Sequence, residues 1–104
     1  MKRWMVVALF LGAASAAFGG AAEGKDLYAK KCRACHGPEG HGNPGMAKML
    51  KVEFRHLGSK DVQGKPDEEI KKIITAGTGK MKAVDGLSGN QIKDLLAFIR
   101  TLKN

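Results

Sequence analysis

Cys32-Arg33-Ala34-Cys35-His36 is the stretch on which the reading of this 104-residue chain turns. It sets two thiols three residues apart and an imidazole directly after the second, and the sequence holds only these 2 cysteines. A thiol-redox pair of this kind belongs in a strand–helix–strand context, and no segment shows the sustained apolar–polar alternation that marks a strand. A disulfide across three residues closes too small a loop to stabilise much. Zinc needs four ligands, and His36, His41 and His56 are the only histidines that could supplement the two thiolates. The histidine after the second cysteine favours a fourth use: C-x-x-C-H is the pattern of covalent c-type haem attachment. Two thiols on one helical turn can form thioethers with the vinyl groups on one porphyrin edge, and His36 would then bring its imidazole under the iron.

Working outward, the residues on both sides read as helices. A first helix is predicted from about Glu23 to Cys35, with Leu27 and Tyr28 apolar amid Lys25, Lys30 and Lys31. A second starts at Pro66, a residue suited to the first helical position because its missing N–H has no partner there. Asp67, Glu68 and Glu69 put negative charge in its first turn, Ile70, Ile73 and Ile74 form its apolar face, and Gly77 ends it. The third is the clearest: Ser88 with Gln91 forms a capping box, and Ile92, Leu95, Leu96, Ile99 and Leu102 recur at helical spacing beside Phe98. The Gly-rich stretch from Gly37 to Gly64 is predicted to hold one short helical turn near Met46 to Leu50. The fold class is therefore all-α, with three main helices plus short turns.

Between the second and third helices lies Gly77-Thr78-Gly79-Lys80-Met81, a loop from which a thioether could reach the far face of an iron held by His36. A methionine is more often core filler than ligand. Lysines and glycines around Met81 make a pure core role less natural, so Met81 is the candidate sixth ligand. Met46 and Met49 compete, as do His41 and His56. The two methionines, three residues apart on the short turn, are expected to pack against the haem face as core.

Residues 1 to 22 read as a secretory signal. Lys2 and Arg3 form a positive start, the run from Trp4 to Ala17 is apolar, and Ala14-Ser15-Ala16 and Gly20-Ala21-Ala22 offer small-x-small cleavage patterns. The strongly apolar core falls short of the ~20 residues of a spanning helix, so cleavage between Ala16 and Ala22 is expected rather than anchoring. That leaves one domain, residues 23–104, working in the periplasm. The intact chain has 18 basic and 10 acidic residues, a net charge of +8, which favours acidic partners. Aromatics at 6% are too few for the stacking platforms of single-strand nucleic-acid binding.

The ordered set of Gly24, Tyr28, Cys32-Arg33-Ala34-Cys35-His36-Gly37, Pro44, Gly79-Lys80-Met81 and the Ile92–Leu102 helix resembles the class I cytochromes c, and it spans essentially the whole mature sequence. The resemblance implies the small class I cytochrome c fold wrapped around one covalently bound haem c. It implies attachment through Cys32 and Cys35 and iron ligation by His36 and Met81. It also implies that Gly24 lets the first helix approach the last, with Tyr28 packing near Leu95 and Phe98, and that the Pro44 carbonyl accepts a hydrogen bond from the His36 ring. One departure stands out. Many relatives carry proline and an aromatic shortly after the axial methionine, whereas Met81 is followed by Lys82-Ala83-Val84.

The function expected is a periplasmic electron carrier, not an enzyme, passing one electron between redox-partner proteins as a monomer. It would need neither nucleic acid nor stable membrane insertion. Lys30, Lys31, Lys48, Lys80 and Lys82 are candidates to steer it onto acidic docking patches. The alternatives are a haem sensor or peroxidase-type enzyme with a labile sixth ligand, and a haem subunit of a larger redox complex.

Overall fold

The computed structural model describes residues 20–103, so most of the expected signal segment, residues 1–19, lies outside the described residues. Six helices follow in order: α1 (Ala21–Lys31), α2 (Arg33–His36), α3 (Pro44–Leu50), α4 (Lys60–Gln63), α5 (Asp67–Ala76) and α6 (Gly89–Thr101). Among the described residues there is no strand, only an isolated antiparallel bridge between Thr78 and Met81.

The frame is α1 crossing α6. Gly24 is buried at the crossing, and a Cβ placed on it would lie 1.9 Å from the Asp94 carbonyl oxygen and 2.9 Å from the Phe98 Cβ, so a glycine is required. One turn on, the Tyr28 ring lies 5.0 Å from that of Phe98, tilted by 52°. Tyr28 is 2% exposed and Leu95 is fully buried. Ile92, Leu96 and Ile99 extend the same stripe along α6, and Ile70 and Ile74 of α5 join the core against it, as their spacing predicts. The Ser88–Gln91 capping box forms as read, with the Ser88 hydroxyl accepting from the Gln91 N–H and the Gln91 side chain accepting from the Ser88 N–H.

The structure departs from the sequence reading in three of its helices. The first helix is not continuous to Cys35. It breaks at Cys32, whose backbone (φ −120°, ψ −31°) is turned out of the helix before the short α2 resumes. Pro66 does not occupy the first turn: with φ −63° and ψ 153° it is the N-cap of α5, and its carbonyl accepts from Glu69 and Ile70. The Gly-rich stretch holds a second helix, α4, capped by Ser59 and anchored by buried Val62. Met49, expected to pack against the haem face, is 69% exposed among the protein's own residues.

Arg100 clasps α6 to the segment between α4 and α5. Its guanidinium donates to the carbonyls of Gln63 (2.8 Å) and Lys65 (2.7 Å) and to the Asp67 carboxylate (2.7 Å). Gln63 reinforces the joint by donating to the carbonyls of Leu57 and Ile99.

Candidate functional site

The C-x-x-C-H stretch sits at the junction of α1 and α2, and its backbone is fixed from three directions. The Tyr28 hydroxyl, buried in the α1–α6 interface, donates to the Gly37 carbonyl just beyond His36. Burial pushes its pKa up to about 12, which keeps the donor proton in place. The N–H groups of Gly42 and Asn43 fold back onto the carbonyls of His36 (2.7 Å) and Cys35 (2.8 Å), two groups that a helix end leaves without internal partners. Asn43 then caps α3, its side-chain oxygen accepting from Gly45 and Met46, while its amide donates to the Ala34 carbonyl at 3.2 Å. One asparagine thus docks α3 on α2.

Cys32 is buried and Cys35 half-buried, and no disulfide joins them. Burial, and after it the proximity of Cys35, pushes the Cys32 thiol up to about 11. His36 is half-buried, with the Phe54 ring edge-on at 5.4 Å, and burial holds its pKa below the ordinary histidine value. The ring is therefore neutral at physiological pH, the form in which an imidazole nitrogen can donate to a metal.

The expected hydrogen bond from His36 to Pro44 is not made: the Nδ1 atom is buried without a hydrogen-bond partner. Pro44 is the first residue of α3, and a carbonyl there points along the helix axis rather than sideways toward a ring.

Met81 is half-buried in a tight turn. Thr78 and Met81 exchange two backbone hydrogen bonds of 3.0 and 2.8 Å, and the turn folds back on Gly77, whose φ of +78° and 2.6 Å clearance to the Met81 carbonyl exclude a side chain. Lys80, between them, donates from Nζ to the Leu50 carbonyl at the end of α3, at 2.7 Å. The chain of contacts therefore runs from the Cys–His motif through Asn43 and α3 to the Met81 turn.

Of the competing ligands, Met46 is half-buried and Met49 exposed, both on α3. His41 and His56 stack on one another at 4.0 Å, and among the described residues no group of three or more His, Cys, Asp or Glu could hold a metal ion. Sequence reasoning missed Phe54, Asn43 and the bridging role of Lys80. An Asn-Pro pair is a recognisable cap and first helical residue, and an aromatic in a Gly-rich loop was the other available signal; the lysine contact had none.

The family profile described as cytochrome C oxidase, cbb3-type, subunit III matches residues 19–99. The chain belongs to that family. A solved structure titled KustC0563 c-type cytochrome is similar to this small c-type cytochrome, with a TM-score of 0.65 and 26% identity over 78% of this chain and 98% of that one. No curated protein matches it. Its role is haem-based electron transfer, and the residues present fit the group. A neutral half-buried histidine with Phe54 edge-on and two free thiols are the donors that covalent attachment needs, and Met46, Leu50, Val52, Phe54, Ile73 and Met81 of this cytochrome are half-buried yet stand outside the α1–α5–α6 core cluster.

Proposed function

We propose that the cytochrome is a periplasmic one-electron carrier with a single haem c, attached through Cys32 and Cys35 and ligated by His36 and Met81. The observation that carries this reading is the continuous run of contacts from α2 through Asn43 and α3 to the Lys80–Met81 turn, which ties a thioether-bearing loop to the element that bears the imidazole. Haem, when bound, supplies a one-electron ferric–ferrous couple, and a sulfur ligand opposite histidine raises its potential.

The chain's own residues do the rest. His36 stays neutral because it is buried. Phe54 covers one side of the ring and keeps water from it. With His36 and Met81 both holding the iron, no position would be left for oxygen or peroxide, which would distinguish a carrier from an enzyme or sensor. Exposed Lys30, Lys31, Lys48 and Lys82 remain available to steer the protein toward acidic partners.

Removal of an N-terminal signal underlies the periplasmic assignment. Gly20 is the N-cap residue of α1, its carbonyl accepting from Gly24 and its N–H donating to the Asp94 carboxylate at 2.7 Å. These contacts favour cleavage near Ala16 over cleavage after Ala22. Among the described residues no helix is long and apolar enough to cross a membrane.

A second reading, a haem subunit docked permanently in a larger redox complex, is favoured by the family description as an oxidase subunit. Purification as a monomer with electron-transfer rates that fall steeply with salt supports the carrier; a stable assembly with salt-insensitive rates supports the subunit.

The ligand assignment is tested by spectroscopy of the holoprotein. Haem stain should survive denaturing electrophoresis. Met81→Ala should abolish the methionine-to-iron charge-transfer band of the oxidised protein and allow fast cyanide binding. Persistence of that band would transfer the role to Met46 or Met49.

A further inference from the structure

Lys80 does something a docking lysine does not. Its side chain is exposed along its length, yet its ammonium is committed to one backbone oxygen, the Leu50 carbonyl, 30 residues earlier in the chain. Leu50 is the last residue of α3, so its carbonyl lies beyond the reach of the helix's own amides. After it the chain turns sharply: Lys51 takes the left-handed conformation (φ 58°, ψ 49°), and its N–H and that of Val52 both go to the Ala47 carbonyl. The Leu50 oxygen is left for an outside donor, and a cation at a helix C-terminal carbonyl is the favourable choice of sign.

At the other end of the contact, Lys80 occupies the tip of a turn closed by two hydrogen bonds between Thr78 and Met81. A turn of that kind is internally rigid but can swing as a unit. Gly77 at its base has the positive φ that lets it fold back, and Gly79 at its tip (φ +53°) has open space around it, so neither glycine clamps it to a neighbour across the molecule. The bond from Nζ to the Leu50 carbonyl does so. Because Met81 follows Lys80 directly, whatever holds the lysine also restrains the backbone from which the Met81 side chain departs, relative to α3.

We propose that Lys80 is a positioning residue for Met81, a strap from the ligand turn to the end of α3 that holds the thioether in place. This rests on the reading of Met81 as the sixth ligand. The missing aromatic after Met81 gives the strap its importance, since Lys82-Ala83-Val84 offers no ring to wedge the loop. Val84 pins the far end of the loop through its N–H on the Ile74 carbonyl (2.8 Å), which leaves the near end, at Met81, to Lys80.

The test uses the holoprotein and reads how readily the methionine leaves the iron. In Lys80→Gln the rate of cyanide binding to the oxidised protein should rise by roughly tenfold or more, the factor associated with one lost charge-assisted hydrogen bond, and the charge-transfer band should weaken. Lys80→Arg, which can still donate to the carbonyl, should restore both. Lys51→Asn removes the same charge beside the same carbonyl while tolerating the left-handed backbone, and it should leave rate and band as they were. Wild-type behaviour of Lys80→Gln, in a protein where Met81→Ala does abolish the band, overturns the strap and leaves the ligand assignment standing. Equal effects of Lys80→Gln and Lys51→Asn overturn it as well, because charge rather than position would then be responsible. A band that survives Met81→Ala overturns the underlying ligand reading itself.

Discussion

Gly24 and Gly77 act at the level of single atoms, and both act by lacking one. At Gly24 the backbones of α1 and α6 are too close for any β-carbon, with the Asp94 carbonyl oxygen 1.9 Å from where it would stand. The obstacle is backbone on both sides, so no side-chain rotation relieves it and the helices must separate. Gly24→Ala should therefore destabilise the holoprotein by about 3 kcal/mol, the upper part of the overpacking range. At about 4–8 °C per kcal/mol for a domain this small, that is a fall in Tm of order 10 °C or more, measurable by circular dichroism. A shift under 2 °C would mean that the helices do not cross as closely as described. The role of this glycine was legible in the sequence through its place in an ordered set of residues. That of Gly77 was legible only as a helix end: its second task, giving room to the Met81 carbonyl, depends on a fold-back that no local pattern encodes.

Among the elements, α6 shows why some of the fold could be read and some could not. Its cap, its apolar stripe and its end are all local features of consecutive residues, and the helix forms where they say. The short helix α4 has only four residues, too few for a periodic stripe, and what holds it is remote: Gln63 and Arg100 tie its end to α6 across more than 30 positions in sequence. Likewise, helix periodicity marks neither the break of α1 at Cys32 nor the loop amides of Gly42 and Asn43 that hold the carbonyls of His36 and Cys35 at the end of α2. The Arg100 clasp can be tested directly. Its guanidinium is two-thirds covered and satisfies two backbone carbonyls as well as Asp67. Arg100→Ala strands those carbonyls and should cost about 2 kcal/mol. Asp67→Asn, which disturbs only the more exposed ion pair, should cost less than about 1 kcal/mol. Arg100→Lys should recover only part of the loss, because an ammonium cannot reproduce the planar fork that reaches two carbonyls and a carboxylate. Chemical denaturation midpoints of the three variants decide the matter; equal losses for Arg100→Ala and Asp67→Asn would reduce the clasp to a surface ion pair.

At the scale of the whole molecule, the apolar residues divide into two sets with different dependences. One is the buried cluster of α1, α5 and α6 around Tyr28, Leu95 and Phe98, which the helices complete among themselves. The other is the half-buried Met46, Leu50, Val52, Phe54, Ile73 and Met81, which stand outside that cluster. A chain that would keep about 88 residues without its leader, with no tryptophan left, is near the size at which a protein core alone becomes marginal. On the proposed attachment, the haem is what the second set packs against, so its loss should affect folding and not merely redox activity. Cys32→Ala/Cys35→Ala, which removes both thioether links at little cost in volume, should therefore show no cooperative thermal transition where the wild-type holoprotein shows a single one, while retaining the weak helical signal of α1 and α6. Unfolding of the double variant as sharply and at the same temperature as wild type would mean that the α1–α5–α6 cluster suffices, and that the half-buried group serves electron transfer alone.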